Sequence, residues 1–192
     1  MPGLMAPMGF EEINQHGYVV SDADRAALHH FELVGAGPFY VGDFTLDNYK
    51  YRGEARECRL RIAVGYWGTI QVEFIQPLKA EGTLYPDALP RHDGLLNHFA
   101  MPVADIDSWL AKRNLADRVL QSGEMRQSGV KFVYLENIFP GGLHLELVQA
   151  PEAMLGMYAA LVAARATWDR RNPLRPMSAI QEDLAAAGLL KT

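Results

Sequence analysis

The chain repeats itself, and this duplication limits the folds open to it more than any other feature of the sequence. Residues 15–24 align with residues 98–107, and both runs are rich in β-forming residues and end in Asp-x-Asp. Asp22 and Asp105 are suited to cap helices, because a short carboxylate accepts hydrogen bonds from the free N–H groups of a first turn. Each half of the chain therefore opens with a strand and a capped helix.

A second pair of segments also aligns. Residues 70–76 match residues 143–149, and each segment is a predicted strand with a central carboxylate, Glu73 or Glu146, after a turn signal containing glycine. The remaining predicted elements are two helices, 24–33 and 107–115, and four strands, 37–44, 59–66, 118–124 and 130–136. Each copy is therefore predicted to be a βαβββ module.

We expect an α+β fold in which two tandem βαβββ modules form a curved mixed sheet around a central metal cleft. The predicted divisions are an N-terminal segment, 1–10, the first module, 11–78, a linker, 79–93, the second module, 94–149, and a C-terminal helical extension, 150–192.

Apolar spacing in the C-terminal extension predicts a helix over Met154–Trp168, and Ser178 with Gln181 predicts a capping box that opens a last helix ending at Ala187. We expect these helices to pack outside the sheets or on a second subunit. A lid over the pocket is the alternative.

The two-residue period of a strand places alternate side chains on one face. If the two modules curl around a common cleft, Gln15, Glu73, His98 and Glu146 all face it. Two buried carboxylates repel each other unless a cation lies between them. One amide oxygen, one imidazole and two carboxylates therefore predict a divalent cation, which would be zinc, nickel, cobalt, manganese or iron.

Other interpretations of these residues stay open. Glu73 could pair with Arg59 or Arg61 instead, and His98 could be a hydrogen-bonded core residue. A register shift of one residue would turn His16 into the cleft in place of Gln15, because it reverses every side chain of a strand.

Composition excludes some classes of function. The net charge of −5 is unsuited to nucleic acid, whose phosphates require a basic surface. No apolar run approaches the ~18 residues of a membrane span. The single cysteine, Cys58, cannot form an internal disulfide, which favours a reducing, cytoplasmic location.

Six stretches carry a resemblance to a known family. They are 13–24, 35–39, 61–68, 71–78, 94–107 and 142–149. In these stretches the chain resembles the vicinal oxygen chelate superfamily, which includes glyoxalase I, methylmalonyl-CoA epimerase, extradiol dioxygenases and bleomycin-resistance proteins. The resemblance implies paired modules around one metal ion, with Gln15, Glu73, His98 and Glu146 as its ligands. This set is similar to that of zinc-type glyoxalase I, whereas the epimerases usually have His at the first position.

The resemblance implies a metal-dependent isomerase, epimerase or lyase that removes a proton next to a metal-bound carbonyl, without an organic cofactor. Glu146 is the expected base, and Glu73 is expected to exchange a proton on the opposite face. The expected substrate is a small carbonyl, thioester or aromatic molecule, and the expected assembly is a homodimer. The residues expected to line the substrate pocket are His144, Gln71, Phe39 and Trp67.

Two alternatives to this activity stay open. One is a ring-cleaving dioxygenase of the extradiol type, although that chemistry normally uses two His and one carboxylate. The other is a protein that binds a small molecule without turnover.

Overall fold

The structure, a computed structural model, describes residues 11–152, 154, 158, 161–162, 165–166 and 168–186. The first half contains β1 (Gln15–Val19), α1 (Ala23–Val34), β2 (Phe39–Tyr51), β3 (Glu54–Ala55), β4 (Arg59–Trp67) and β5 (Ile70–Lys79). The rest contains α2 (Leu84–His92), β6 (Leu96–Pro102), α3 (Ile106–Arg113), β7 (Val119–Met125), β8 (Val130–Leu135), β9 (His144–Gln149), β10 (Leu174–Pro176) and α4 (Ile180–Ala186).

Both predicted N-caps are confirmed. The side chain of Asp22 accepts a hydrogen bond from the backbone N–H of Arg25 at 3.0 Å, and Asp105 accepts one from Ser108 at 2.7 Å. At its other end α1 stops at Gly35, whose φ of 67° is left-handed and costs glycine little. The repeated Asp-x-Asp motif therefore sets the start of both module helices.

The sheet closes into a ring. Its strand order is β2-β4-β5-β1-β6-β9-β8-β7, and β2 also pairs with β7, so the first and last strands of the series meet. This closure requires β2 to run on to Tyr51, well past the predicted end at residue 44, where Tyr51 pairs with Gln121. The predicted mixed α+β fold is confirmed, and the curved sheet is more closed than the sequence indicated.

The strand register follows the repeat. In the antiparallel pair of β1 and β6, Gln15 lies opposite Ala100 and Gly17 lies opposite His98. A twofold rotation that places Gln15 on His98 also places Gly17 on Ala100, so it turns each of these pairs into the other. The sequence alignment requires the same correspondence. The same operation relates the parallel pairs β1–β5 and β6–β9, which align Gly17 with Glu73 and Ala100 with Glu146.

The module helices cover the outside of the ring. Ala23 and Ala27 of α1 pack with Phe39 and Phe74 in one cluster, and Trp109 of α3 belongs to a second cluster outside the other module. Burying these apolar faces leaves the opposite face of each strand to line the interior.

The segment predicted as a linker contains a helix that fills part of the interior. Helix α2 begins after Thr83, whose side chain accepts from the backbone N–H of Tyr85 at 3.4 Å. Tyr85 is buried among inward-facing residues of both modules, such as Ile75 and Phe132. Pro86 is tolerated because the N–H groups of a first turn have no partner within the helix.

The C-terminal extension returns to the first module. Strand β10 adds parallel to β2, with Leu174 opposite Phe39. The predicted helix over residues 154–168 lies largely outside the described residues, but the described positions up to Arg165 are helical. Helix α4 follows a 3₁₀ turn that contains Ser178, and Ala187 lies outside the described residues. In the described part of the chain, no helix has the length and apolar character needed to cross a membrane.

Candidate metal centre

His98 lies fully buried at the centre of the ring, and Gly17 makes room for it. A Cβ atom added to Gly17 would lie 1.8 Å from Cε1 and 2.0 Å from Nε2 of the imidazole. Nδ1 of His98 lies 3.2 Å from Oδ1 of Asn97. With a proton on Nδ1 that nitrogen donates to Asn97, and Nε2 presents its lone pair to the interior, as a metal-ligating histidine requires.

Two carboxylates reach the same nitrogen from opposite modules. Oε2 of Glu146 lies 3.2 Å from Nε2 of His98, and Oε2 of Glu73 lies 3.5 Å from it. One ligand atom from each of the three residues falls within 4.8 Å of the others. An oxygen and nitrogen donor set at this spacing suits a divalent cation with positions left for water or substrate.

The charges of this cluster favour a cation. Burial lowers the pKa of His98, but the hydrogen bonds and negative charges of Glu146 and Glu73 outweigh it and raise the pKa to about 9. Burial, together with the charge of Glu73, raises the pKa of Glu146, although His98 acts in the other direction. In this state His98 supplies positive charge to the two carboxylates, and a divalent ion between them would do the same.

Gln15 presents a free acceptor to the interior. Its Nε2 donates to Oε1 of Gln71 at 2.6 Å, and Nε2 of Gln71 donates in turn to the hydroxyl of Tyr66 at 2.9 Å. Oε1 of Gln15 is buried without a hydrogen-bond partner among the described residues. A buried acceptor in this state costs about 1–3 kcal/mol, which a metal ion would offset. The amide thus fits the role of a fourth ligand.

We expect Gln71→Leu to weaken divalent metal binding roughly tenfold, because a residue that hydrogen-bonds a metal ligand holds that ligand in its orientation. Without Gln71 the Gln15 amide can rotate and turn its NH₂ group toward the ion. Calorimetric titration of the chelator-treated protein with zinc measures the change. Tyr66→Phe removes only the outer hydrogen bond and is the matched control, expected to change affinity less. An unchanged dissociation constant in Gln71→Leu, beside a raised one in Gln15→Ala, contradicts this role.

The positions of Arg61 and His16 decide two of the alternatives that the sequence left open. Arg61 pairs with Asp24 at 2.7 Å and with Asp43 at 2.9 Å, outside the ring, so it does not pair with Glu73. His16 points away from the interior and makes an edge-to-face contact with Phe99, with 5.3 Å between ring centroids. The register that turns Gln15 inward is therefore the one adopted.

The residues expected to line a substrate pocket are divided. Gln71 lines the cavity beside Glu73 and Glu146. Phe39 is buried outside the ring under α1, and Trp67 lies half-exposed at the β4–β5 turn, 6.0 Å from His30 between ring centroids. Neither Phe39 nor Trp67 lines the cavity, because successive side chains of a strand point to opposite faces and these two point outward.

His144 also lies outside the cavity lining. It pairs with His98 in the sheet register, and its ring centroid is 6.5 Å from that of Tyr134. His144 is the twofold counterpart of Gln71. Helix α2 fills the interior at only one end of the ring, so His144 and Gln71 have different surroundings.

Two tyrosines near the centre were missed at the level of sequence. The hydroxyl of Tyr134 lies 3.4 Å from Nε2 of His98, and Tyr134 and Tyr85 both line the cavity. Tyr134 lies opposite Glu146 in the sheet. The alternation of side chains along the predicted strand 130–136 could have indicated that Tyr134 faces the interior. No sequence signal indicated Tyr85, because α2 has no counterpart in the repeat.

Comparisons with known proteins agree with this architecture. Residues 14–134 match the family model described as the glyoxalase/bleomycin resistance protein/dioxygenase superfamily. Methylmalonyl-CoA epimerase from Mycobacterium tuberculosis has a similar fold, with a TM-score of 0.52 and 16% identity over 78% of this chain and 95% of that one.

Two further solved structures share the fold. A methylmalonyl-CoA epimerase in complex with methylmalonyl-CoA and ammonium has a TM-score of 0.50 and 17% identity, over 75% of this chain and 97% of that one. A Streptomyces coelicolor methylmalonyl-CoA epimerase variant in complex with 2-nitronate-propionyl-CoA gives the same values. A search of curated protein sequences finds no significant match. The matched model spans more than half of the chain, which therefore belongs to the glyoxalase/bleomycin resistance protein/dioxygenase superfamily.

Proposed function

We propose that this protein is a divalent-metal-dependent enzyme that removes a proton next to a carbonyl group, as an isomerase, epimerase or lyase of the glyoxalase type. The proposal is carried by one observation: Glu73, His98 and Glu146 converge within 4.8 Å, on a cavity also lined by Gln15, whose amide oxygen has no hydrogen-bond partner in the described part of the chain. These residues would hold the ion. When bound, it would act as a Lewis acid that stabilises negative charge on a carbonyl oxygen.

The positions of the two carboxylates support proton transfer. Glu146 is buried at the cavity wall, 3.2 Å from Nε2 of His98, so its carboxylate can accept a proton from a substrate held there. As the substrate C–H bond breaks, the proton passes to Glu146 and the electron pair stays on the substrate. Glu73 comes from the other module, related to Glu146 by the twofold operation, and would return a proton to the opposite face.

Proton exchange in deuterated water tests this role. The probe is 2-hydroxyacetophenone, which carries two neighbouring oxygens and exchangeable protons, and NMR follows the loss of those protons in the presence of protein saturated with zinc. Glu146→Gln is expected to slow the exchange by a factor of about 100 or more, since a positioned general base contributes that much.

Gln15→Ala is the matched variant for this test, because it removes a ligand without removing a base. Elemental analysis must show full zinc occupancy in both variants. Under that condition Gln15→Ala is expected to retain exchange to within about tenfold. Equal losses in the two variants would show that Glu146 acts only as a ligand.

A second function, binding of a small molecule without turnover, is favoured by the large apolar cavity beside the cluster. Metal analysis separates the two functions, because a purified protein that is free of metal and indifferent to chelators supports binding alone. Ring cleavage stays the other alternative, and oxygen uptake with catechol under ferrous reconstitution tests it. A homodimer and a cytoplasmic location stay predictions from the sequence.

A further inference from the structure

The interior of the ring contains a cavity of about 560 Å³ with the candidate metal ligands on its wall. This volume is within the range of pockets that enclose small organic molecules. Gln15, Glu73 and Glu146 form the part of its polar lining that belongs to the candidate metal centre. A ligand in the cavity can therefore present oxygen atoms to the metal centre while the rest of the molecule is buried.

Most of the other wall residues are apolar. Side chains from both modules contribute, including Phe44, Leu60, Ile62, Ile75 and Phe132. Among the described lining residues, the carboxylates of Glu73 and Glu146 are the only charged groups, and neither lysine nor arginine is present. A divalent ion would balance these two carboxylates, so the loaded cavity would have little net charge.

The C-terminal extension supplies part of the same wall. Tyr158, Leu161, Met177 and Ile180 line the cavity, although the sequence favoured a position outside the sheets for this segment. Leu161 and Ile180 are buried in a cluster with Tyr40 and Tyr66 of the first module. The extension is therefore packed onto the ring at the cavity.

Polar contacts hold the extension in place. Tyr40 donates its hydroxyl hydrogen to Oδ2 of Asp183 at 2.7 Å, and Oδ1 of Asp183 pairs with Arg175 at 2.6 Å. Nε of Arg165 donates to the backbone carbonyl of Tyr66 at 3.1 Å. The side chains of Arg175 and Asp183 are each only about a fifth exposed, and a partly buried pair of this kind resists separation more than a surface one.

We propose that the cavity takes a compact molecule without phosphate groups, whose two neighbouring oxygens meet the metal centre and whose aromatic or aliphatic body lies against the C-terminal extension. Thioesters of coenzyme A are excluded. This inference rests on the proposed function for the polar end of the ligand, and on the cavity walls for the rest.

The exclusion of coenzyme A thioesters has two physical reasons. The long arm of such a thioester would have to leave a cavity part of whose wall is formed by the C-terminal extension. Its phosphate groups also need cationic partners, because an unpaired charge is costly to remove from water. The described cavity lining offers none.

Ligand binding to the zinc-loaded protein tests the inference without turnover. Calorimetry compares 2-hydroxy-1-(2-naphthyl)ethanone with methylmalonyl-CoA and with free coenzyme A. The naphthyl compound is expected to bind, and both coenzyme A compounds are expected to bind roughly 100-fold more weakly or not at all, a difference of about 2.7 kcal/mol. Binding of methylmalonyl-CoA as tight as that of the naphthyl compound overturns the inference.

Variants in the extension test whether it forms the wall. Ile180→Trp fills the cavity from α4 and is expected to weaken naphthyl binding about tenfold or more, as overpacking of a pocket does. Glu182→Trp places the same side chain on an exposed position of α4 and is the matched control, with no change expected. Met177→Trp serves as a second filling variant if Ile180→Trp does not fold. Unchanged naphthyl binding in both folded filling variants overturns the inference.

Failure of this inference differs from failure of the proposed function. A wild-type protein that binds no metal overturns the proposed function, while the naphthyl compound and the filling variants still report on the apolar wall. A protein that binds zinc and exchanges protons but accepts methylmalonyl-CoA retains the proposed function and loses the inference.

Discussion

Gly17→Ala is expected to lower the free energy of unfolding of the metal-free protein by about 3 kcal/mol, because overpacking a closed interior forces side chains or backbone to move. The new Cβ would lie 1.8 Å from Cε1 of His98, and the imidazole is fully buried and held by Glu146 and Glu73. Displacement of the ring also removes a metal ligand. Urea unfolding and zinc titration together measure both effects.

A double-mutant cycle identifies the cause. In a His98→Ala background the ring is gone, so Gly17→Ala is expected to cost less than about 1 kcal/mol there. An equal cost in both backgrounds would assign the effect to the backbone at Gly17 and not to contact with His98. The twofold counterpart of Gly17 is Ala100, which lies opposite Gln15. The side chain of Gln15 has no ring, so it leaves room for the Cβ of Ala100, whereas the imidazole of His98 leaves none at Gly17.

Removing a carboxylate and removing the imidazole are expected to have unequal effects on the metal-free protein. Glu146→Gln should cost less than His98→Ala, because Glu73 still faces His98 and because burial already disfavours the ionised carboxylate of Glu146. His98→Ala should cost about 3 kcal/mol or more, because Glu73 and Glu146 then lose their positive partner.

Metal binding is expected to fall in both variants. With zinc at 100 times the wild-type dissociation constant, the wild type gains about 2.7 kcal/mol of stability, or roughly 5–10 °C in Tm for a chain of this size. A variant with 100-fold weaker affinity gains only about 0.4 kcal/mol under the same conditions. Thermal unfolding with and without zinc measures both quantities. A full zinc-induced shift in His98→Ala would remove this residue from the metal centre.

Alternation along the strands could be inferred from the sequence alone. Side chains two residues apart share a face whatever the partner strand, so the inward positions of Gln15, Glu73, His98 and Glu146 followed from local period and internal repeat. The caps at Asp22 and Asp105 were equally local, because each depends on a side chain and the first turn that follows it.

Long-range pairing and burial were not visible in the sequence. The pairing of β2 with β7 joins residues 70 or more positions apart and has no local signal. Helix α2 is short, and its stability depends on burying Tyr85 in an interior that both modules must first create. The exclusion of Phe39 and Trp67 from the cavity likewise depends on which face of the ring each module helix covers.

The sequence by itself determined a duplicated α+β chain with four polar side chains on matched inner faces, because periodicity and capping act over a few residues. Only the tertiary structure decided how enclosed the centre is, which end α2 fills, and that Tyr158, Leu161 and Ile180 of the C-terminal extension line the cavity. These outcomes depend on which apolar surfaces meet across the whole chain, and no local pattern encodes that choice.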